Sequence, residues 1–345
     1  MTRMRAIVFG DDRKIRLEEV PIPEVGAGDV LLRPHFCGVC GTDLHAPSMS
    51  APFRSGVVMG HEFSGEVVAT GAQVEGWEPG TRVVVNPNGN LCGACGACRD
   101  ARFNLCRSAV FENGIGIRHD GGMAEFVTVD PKVLYPLPDS VSSEQGAFVE
   151  PLATAIRAVR RSRFRLGSSA AVIGTGPVGL LVVQALRRAG AATITAIELS
   201  AFRRQAALDL GADLALDPRT EPPTELFGTE LEPPEFVFEC SGAQGTLELA
   251  VDIVRYGGRV ALTGLPSRPV QVTATTVIGK EVDVVGSIIY VEEFPLAIDL
   301  LAQGAFEIES LISMILPITR FDEGFDALAN PVSTLKVLLH PTQGH

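Results

Sequence analysis

Four cysteines stand close together in one glycine-rich run, CGACGACRDARFNLC. Their spacing is C-x2-C-x2-C-x7-C, through Cys92, Cys95, Cys98 and Cys106. A tetrahedral zinc ion takes four thiolates at about 2.3 Å, and short gaps let one segment wrap the ion. An iron–sulfur cluster also takes four thiolates and is the chemical alternative. Disulfides fit less well, because MTRMRAIVFGDD does not resemble a secretory signal. The run therefore predicts a structural metal site.

A second set of potential ligands is spread over three short motifs, CGTDLH, GHE and VEPLA. Its members are Cys40, His61, Glu62 and Glu150. A thiolate, an imidazole and carboxylates suit zinc, and three protein ligands leave a position for water or substrate. Taken singly, each residue has an ordinary interpretation as a buried cysteine, a core histidine or a surface carboxylate. Their occurrence beside a second metal motif and a nucleotide motif favours a catalytic zinc. Cys37 and Cys40 also have a redox-type spacing, but Cys37 is predicted to be a packed strand residue.

A glycine motif indicates a dinucleotide site. The glycines of IGTGPVGLL have the spacing G-x-G-x-x-G: Gly174, Gly176 and Gly179. They follow an apolar strand and open a helix, which is the context that the motif requires. Glu198 ends the next strand, where a carboxylate accepts hydrogen bonds from the adenosine ribose and repels a 2′-phosphate. This favours NAD, although Arg203 and Arg204 lie nearby and keep NADP open. A glycine turn in a ligand-free α/β domain is the alternative.

Two rhythms of secondary structure divide the chain. Short β-branched runs such as EVVATGA, RVVVNP and AEFVTVD make the first half β-rich. From Ser168 onward, apolar strands (AAVIG, TITAIEL, FVFEC, RVALTGL) alternate with amphipathic stretches such as GLLVVQALRRAG and FRRQAALDLGAD. This alternation predicts a doubly wound parallel sheet with helices on both faces. EVDVVGS is a further strand, and the helix FPLAIDLLAQGAF leads to a last strand, LKVLLHP.

Composition sets outer limits on function. The chain has 345 residues, of which 46% are hydrophobic, and a formal net charge of −12. Its length suggests about two domains. The acidic balance gives no electrostatic footprint for nucleic acid. No stretch of 18 or more residues reads as a transmembrane helix, so we expect no membrane association. Cysteine use without a secretory signal predicts a cytoplasmic protein.

With these motifs in place, the sequence resembles the zinc-containing medium-chain alcohol dehydrogenases over nearly its whole length. GHEFSGEVVATGAQV fits the zinc signature of that family, and CGACGACRDARFNLC fits its structural-zinc lobe. The resemblance implies a GroES-like catalytic domain at 1–153, with the structural-zinc lobe at about 90–108. It further implies a Rossmann NAD-binding domain at 154–290 and a return to the catalytic domain at 291–345. Two zinc ions per chain, NAD and a homotetramer or homodimer are part of the same expectation.

The resemblance also implies roles for individual residues. Thr42 would take the proton of the alcohol and pass it to the nicotinamide ribose, and His45 would carry it to solvent, while Asp43 would orient His61. The glutamate in VEPLA is similar to that of the polyol, threonine and 2,3-butanediol dehydrogenase branch, in which Glu62 can also bind zinc. Beside the glycines, Glu198 and Arg203, the implied cofactor-binding residues are Val178, Thr263, Gly264, Leu265, Ser287 and Ile288.

The expected reaction is hydride transfer between NAD and a small secondary alcohol, with a vicinal diol, hydroxyketone or polyol as the substrate class. The loop from Ala46 to Val58 is short for the butanediol dehydrogenases and leaves substrate size open. One alternative is amino-alcohol oxidation of the L-threonine 3-dehydrogenase type, for which Arg54 is the charged candidate. Another is a zinc-free quinone or enoyl reductase on the same scaffold. A non-enzymatic protein that senses NAD or uses zinc structurally is the third.

Overall fold

The computed structural model describes residues 3–48, 53–329 and 332–342, and its contacts divide the chain into two units. The first unit combines Met1–Glu150 with Phe294–His345, and the second is Pro151–Glu293. Part of the short loop between Ala46 and Val58, residues 49–52, lies outside the described residues. Among the helices that the structure describes, none is long and apolar enough to cross a membrane.

The strands are numbered in chain order. They are β1 (Arg3–Phe9), β2 (Ile15–Pro21), β3 (Val30–Gly38), β4 (Val57–Val58), β5 (Glu62–Thr70), β6 (Arg82–Val85), β7 (Val127–Val129), β8 (Leu134–Pro136), β9 (Ser169–Ile173), β10 (Thr193–Ile197), β11 (Leu214–Leu216), β12 (Phe236–Glu239), β13 (Arg259–Leu262), β14 (Asp283–Gly286), β15 (Ile312–Pro317) and β16 (Lys336–His340). The β-branched and apolar runs of the sequence predict most of them, and each strand motif quoted above is confirmed.

The helices are mostly short in the first unit and longer in the second. They are α1 (Gly41–His45), α2 (Gly96–Arg99), α3 (Ser143–Gly146), α4 (Val149–Ser162), α5 (Pro177–Arg188), α6 (Ala201–Asp209), α7 (Pro223–Leu226), α8 (Thr246–Ile253), α9 (Ala274–Lys280), α10 (Glu293–Ala302) and α11 (Phe321–Ala329). Short 3-10 turns lie at Phe103–Leu105, Pro131–Val133, Glu309–Leu311 and Ile318–Arg320, with a π turn at Ser108–Glu112. The predicted amphipathic stretches correspond to α5, α6 and α10.

The main sheet of the first unit runs in the order β15-β16-β3-β5-β6-β8, with β7 also paired to β3. Strand β3 is antiparallel to both β16 and β5. Side chains alternate between the faces of a strand, so one face of each strand supplies the core. That core includes the buried side chains of Ile7, Leu32, Phe63 and Val337. A smaller sheet, in the order β2-β1-β4, contributes Ile7 of β1 and Val57 of β4 to the same core.

The second unit is one parallel sheet in the order β11-β10-β9-β12-β13-β14. Strands buried on both faces read as continuous apolar runs, which explains sequences such as AAVI and FVFE. Both β10 and β12 pair with β9, so the strand order reverses at that point. In open α/β sheets, ligands bind at such a reversal, beyond the carboxyl ends of the strands. The predicted doubly wound parallel sheet and the β-rich character of the first unit are confirmed.

Candidate metal and cofactor sites

The four-cysteine run closes on itself without help from a sheet. Sγ of Cys92 lies 3.9 Å from Sγ of Cys98 and 3.7 Å from Sγ of Cys106. The ligand atoms of all four cysteines, Cys95 included, lie within 4.8 Å of one another. Four thiolates at about 2.3 Å from a tetrahedral zinc lie about 3.8 Å apart, so the set fits that ion. A disulfide would require about 2.05 Å, and all seven cysteines are free thiols.

A glycine turn and backbone hydrogen bonds shape the loop around these sulfurs. Gly93 has φ +66, a left-handed conformation that favours glycine and turns the chain back. The N–H of Cys95 donates to Sγ of Cys92 at 3.4 Å. Backbone hydrogen bonds from Ala94 and then Cys95 lower the pKa of Cys92 to about 6. Because a metal binds the thiolate, the lowered pKa favours binding by Cys92, whereas burial is the main cause that raises the pKa of Cys98 to about 12.

A second set of ligands meets at the end of β3. Cys40 is the N-cap of α1, just past β3, whereas His61 and Glu62 stand where β5 begins. Gly38 pairs with Glu62 across the two strands, and this register brings the motifs together. The ligand atoms of Cys40, His61 and Glu62 lie within 4.8 Å of one another. His61 and Glu62 are buried while Cys40 is half-buried, which suits a metal site with one accessible side.

Glu150, the fourth predicted ligand, is carried by a helix rather than by β3 or β5. It is in the first turn of α4 and is half-buried. Its carboxylate is not part of the set formed by Cys40, His61 and Glu62. The described residues therefore supply a set of three ligands. Glu150 remains a predicted fourth ligand whose carboxylate is outside that set.

Asp43 faces the metal ligands from within α1. Its side chain is fully buried, and its Oδ2 accepts a hydrogen bond from the N–H of Cys40 at 2.9 Å. Oδ1 lies 3.6 Å from Nδ1 of His61, too far for a hydrogen bond, and neither atom has a hydrogen-bond partner among the described residues. The Nδ1 edge of His61 thus faces Asp43, which leaves Nε2 for a metal. The unpartnered atoms and the sulfur, nitrogen and oxygen donors fit a zinc ion.

The charges in this set act strongly on one another. Burial raises the pKa of Asp43 above its usual value. Burial alone would lower the pKa of His61, but Asp43 and then Cys40 outweigh it and raise that pKa well above its usual value. Such opposed effects are typical of a site that concentrates negative charge out of contact with water.

The two residues of the predicted proton relay lie on the same short helix. Oγ1 of Thr42 is 3.6 Å from Sγ of Cys40, and the residue is half-buried. His45 ends α1 and is exposed to solvent. Their order from the ligand set to the surface is the one that a relay needs, and the roles themselves remain a prediction.

Sequence reasoning missed Lys336. Its ammonium forms a buried ion pair with Oε2 of Glu62, one of the three residues of the metal-ligand set. The motif LKVLLHP carried a signal, because a single lysine interrupts an otherwise apolar strand. Cys37, by contrast, is the packed strand residue that the sequence predicts, fully buried within β3.

The glycine motif of the second unit forms the expected turn between β9 and α5. Gly174 has φ +84, and a Cβ there would lie 2.6 Å from Cβ of Ser241. A Cβ on Gly179 would overlap the carbonyl oxygen of Gly174. Gly176 is the N-cap of α5, with Pro177 at the first helical position. A Cβ on Gly176 would meet nothing nearer than Nη1 of Arg203 at 3.9 Å, so this glycine faces open space where a pyrophosphate could approach.

The carboxylate of Glu198 lies beside the glycine turn and also stabilises it through hydrogen bonds. Its Oε2 accepts from the N–H of Thr175 and its Oε1 from the N–H of Ser200, both at 2.9 Å. The carboxylate is thereby oriented beside the glycine turn, where a ribose would lie. Arg203, on α6, approaches the same turn, and its carbonyl accepts from Oγ1 of Thr175 at 3.3 Å. Val178, half-buried, is in the first turn of α5.

Two buried hydroxyl groups lie just after the ends of neighbouring strands. Within the part of the chain that the structure describes, Oγ1 of Thr263, after β13, and Oγ of Ser287, after β14, have no hydrogen-bond partner. Buried hydroxyls are normally paired, so these two fit a ligand that completes them. The other predicted cofactor residues in this region are Gly264, Leu265 and Ile288, of which Leu265 and Ile288 are exposed.

Glu239, which sequence reasoning also missed, organises the loops around these residues. Its buried Oε1 accepts from the N–H of Ser241 and of Gly242, and from Oγ1 of Thr246. Its carbonyl accepts from the N–H of Thr263 and of Gly264. One residue at the end of β12 therefore holds two loops of the predicted cofactor site, the one that follows β12 and the one that follows β13.

Comparisons with known proteins agree with this geometry. The family described as alcohol dehydrogenase GroES-like domain matches residues 26–139, and zinc-binding dehydrogenase matches residues 177–303. The chain is 35% identical to (R,R)-butanediol dehydrogenase of Bacillus subtilis (strain 168), over 98% of this chain and 100% of that protein. It is 31% identical to the sorbitol dehydrogenase of the same strain, over 99% and 98%. A solved zinc-binding dehydrogenase from Sinorhizobium meliloti 1021, bound to NADP, superposes with a TM-score of 0.91 at 34% identity, covering 99% and 100% of the two chains.

Replacement of one thiol tests the closed cysteine site. Cys98→Ser should lower the bound zinc by one ion per chain and the Tm by roughly 5 °C or more, because the metal holds the loop. Metal analysis and thermal unfolding measure the two effects. Ala94→Ser, an exposed substitution in the same loop, is the matched control and should change neither. Full zinc content in Cys98→Ser would contradict a four-thiolate site.

Two glycines of the nucleotide turn should respond differently to alanine. Gly179→Ala forces an overlap within the turn, so both the Tm without cofactor and NADH affinity should fall. Gly176→Ala adds a methyl in open space, so the Tm should stay near wild type while the Kd for NADH rises about tenfold or more. Fluorescence titration and thermal unfolding separate the outcomes. Wild-type NADH affinity in Gly176→Ala would place the pyrophosphate elsewhere.

Proposed function

The chain belongs to the zinc-binding medium-chain alcohol dehydrogenase family, and on that premise we propose that it is an NAD-dependent zinc dehydrogenase of small secondary alcohols. The observation that carries the proposal is the set of buried His61, buried Glu62 and half-buried Cys40, in a chain that also holds the glycine turn of a dinucleotide site. These residues are the proposed catalytic zinc ligands, with Glu150 as a further candidate. The four-cysteine loop is the proposed structural zinc site.

The residues present fit both groups. A zinc ion held by this set would supply Lewis acidity that lowers the pKa of an alcohol hydroxyl, and bound NAD+ would accept the hydride. Asp43 faces Nδ1 of His61 and would keep that ring oriented with Nε2 toward the metal. The burial of His61 and Glu62 excludes water from one side of the site, which strengthens its electrostatic effects.

The proton of the alcohol needs a path to solvent. We assign its first acceptor to Oγ1 of Thr42, which is half-buried beside the thiol of Cys40. His45, exposed at the end of the same helix, would release the proton to water, because an imidazole exchanges protons near neutral pH.

NAD is the proposed cofactor, on the strength of Glu198. Its carboxylate is oriented by two backbone N–H groups beside the glycine turn, where it would accept from a ribose hydroxyl and repel a 2′-phosphate. Two observations favour NADP instead: Arg203 lies near the same turn, and the relative from Sinorhizobium is bound to NADP. A charged carboxylate in this position is the stronger determinant, because it carries both the attraction and the repulsion.

The proposed substrate class is a vicinal diol, a hydroxyketone or a polyol, which agrees with the relatives named for butanediol and sorbitol. The amino-alcohol alternative relied on Arg54 as a partner for a carboxylate. The guanidinium of Arg54 lies 3.8 Å from the carboxylate of Asp120, so that charge already has a counterpart in the protein. A diol or polyol asks for no such cation.

The domain limits, assembly and location complete the proposal. We assign 1–153 and 291–345 to the catalytic domain and 154–290 to the NAD-binding domain, near the division between the two units. A homotetramer or homodimer and a cytoplasmic location are proposed from the family resemblance and the free thiols.

A substrate panel with and without metal tests the reaction. NAD+ reduction, followed by absorbance at about 340 nm, should be fastest with a diol or polyol and weak with threonine. Dialysis against a chelator should abolish alcohol oxidation, and added Zn2+ should restore it. Activity toward enones or quinones that survives chelation, with no alcohol oxidised, would support the zinc-free reductase instead.

A single substitution tests the cofactor preference. Glu198→Gln removes the repulsive charge, so the ratio of kcat/KM for NAD+ over NADP+ should fall about tenfold, equivalent to ~1.4 kcal/mol. The ratio compares two cofactors on one variant, so a general loss of activity does not affect it. Asp209→Asn, an exposed change at the end of α6, should leave the ratio unchanged. A wild type that prefers NADP+ would reverse the assignment.

A further inference from the structure

The C-terminal strand places a buried lysine against the proposed metal ligands. Nζ of Lys336 forms an ion pair with Oε2 of Glu62, and the two side chains are 3% and 2% exposed. An ammonium this deep is costly to desolvate unless it is paired. The pair therefore belongs to the site rather than to the protein surface, and the question is what it does there.

Sheet register explains how the two side chains meet. Gly38 of β3 pairs with Leu338 of β16 on one side and with Glu62 of β5 on the other. Lys336 lies two residues before Leu338 and so shares its face of the sheet. Gly38 leaves that face empty between the neighbouring strands. A Cβ on Gly38 would overlap Oε2 of Glu62 and lie 2.8 Å from Cε of Lys336.

Because the pair lies within the ligand set, it bears on how Glu62 meets a metal. A carboxylate can offer a metal one oxygen or both, and a catalytic zinc needs a position left for substrate. An oxygen engaged by an ammonium is a poorer donor to a second cation. On the premise that Cys40, His61 and Glu62 bind the catalytic zinc, we infer that Lys336 is a positioning residue that keeps Oε2 of Glu62 from the metal and so preserves the substrate's position.

The buried carboxylate of Glu62 stabilises the charged form of Lys336, because a paired ammonium is far less costly to bury than an isolated one. The ammonium also offsets part of the negative charge that the thiol and carboxyl groups bring to the set. A neutral side chain of similar length, such as methionine, would fill the space without either effect.

Lys336→Met tests the inference through metal release. Zinc transfer to a chromophoric chelator is measured, and the catalytic phase is identified as the one missing from Cys40→Ser. With Glu62 freed, that phase should slow about tenfold or more, and kcat should fall while the Kd for NADH stays unchanged. Replacement of the catalytic zinc by Co2+ should give a visible spectrum that reports a higher coordination number than in the wild type.

Two matched variants separate positioning from a structural role. Lys336→Arg retains the charge and should release zinc like the wild type. Glu62→Gln removes the partner, so adding Lys336→Met to it should cause no further change in release. Faster or unchanged release in Lys336→Met, or an effect that persists with Glu62→Gln, would overturn the inference.

A third variant serves if Lys336→Met does not fold. Gly38→Ala keeps both charges but separates them, so it should also slow release and lower kcat; wild-type release and kcat would overturn the inference. The wild type itself separates this test from the proposed function. If it holds no catalytic zinc, the proposed function fails; if it holds zinc and oxidises alcohols while the variants match it, only the role of Lys336 fails.

Discussion

The register of β3 against its two neighbours is the constraint on which the metal-ligand set depends. Cys37 pairs with Phe63 and Gly38 with Glu62, so the end of β3 and the start of β5 meet at one point. Because side chains alternate along a strand, a slip of one residue would turn Glu62 to the opposite face. Buried Phe63 and Val337 fix that register through the core, which means that hydrophobic packing places the ligands.

The same reasoning applies to the second unit, where strand ends rather than strand faces carry the site. The carboxyl ends of β9, β12 and β13 meet at one edge of a parallel sheet, and the loops that leave them must be held. Glu239 does this with its carboxylate and its carbonyl at once. Ser241, fixed by Glu239, packs against Gly174, so the glycine turn is supported by a neighbouring strand and not only by its own sequence.

The parts of the molecule that could be predicted from the sequence are those with local signatures. The four cysteines, the glycine turn and the alternating strands each depend on residues close in the chain, and the structure has all three. The pair of Lys336 with Glu62 joins residues from opposite ends of the chain and depends on a register that no local motif encodes. Glu150 is marked as a ligand by its motif, and that role stays a prediction, since its carboxylate is not in the three-residue set.

One metal site is built from residues close in the chain, and the other from residues far apart. Metal binding should therefore depend on folding in a different way at each site. The cysteine loop has little apolar support of its own, since Leu91, Phe103 and Leu105 are all more than one-third exposed. A metal there must supply the order that a core would otherwise provide, so binding and local folding are one event. At β3 the fold comes first and the metal second, because the sheet is complete without the ion and the ligands are held by their strands. A site built by the sheet can leave one position free for substrate, whereas a site that builds its own loop has to use every ligand it has.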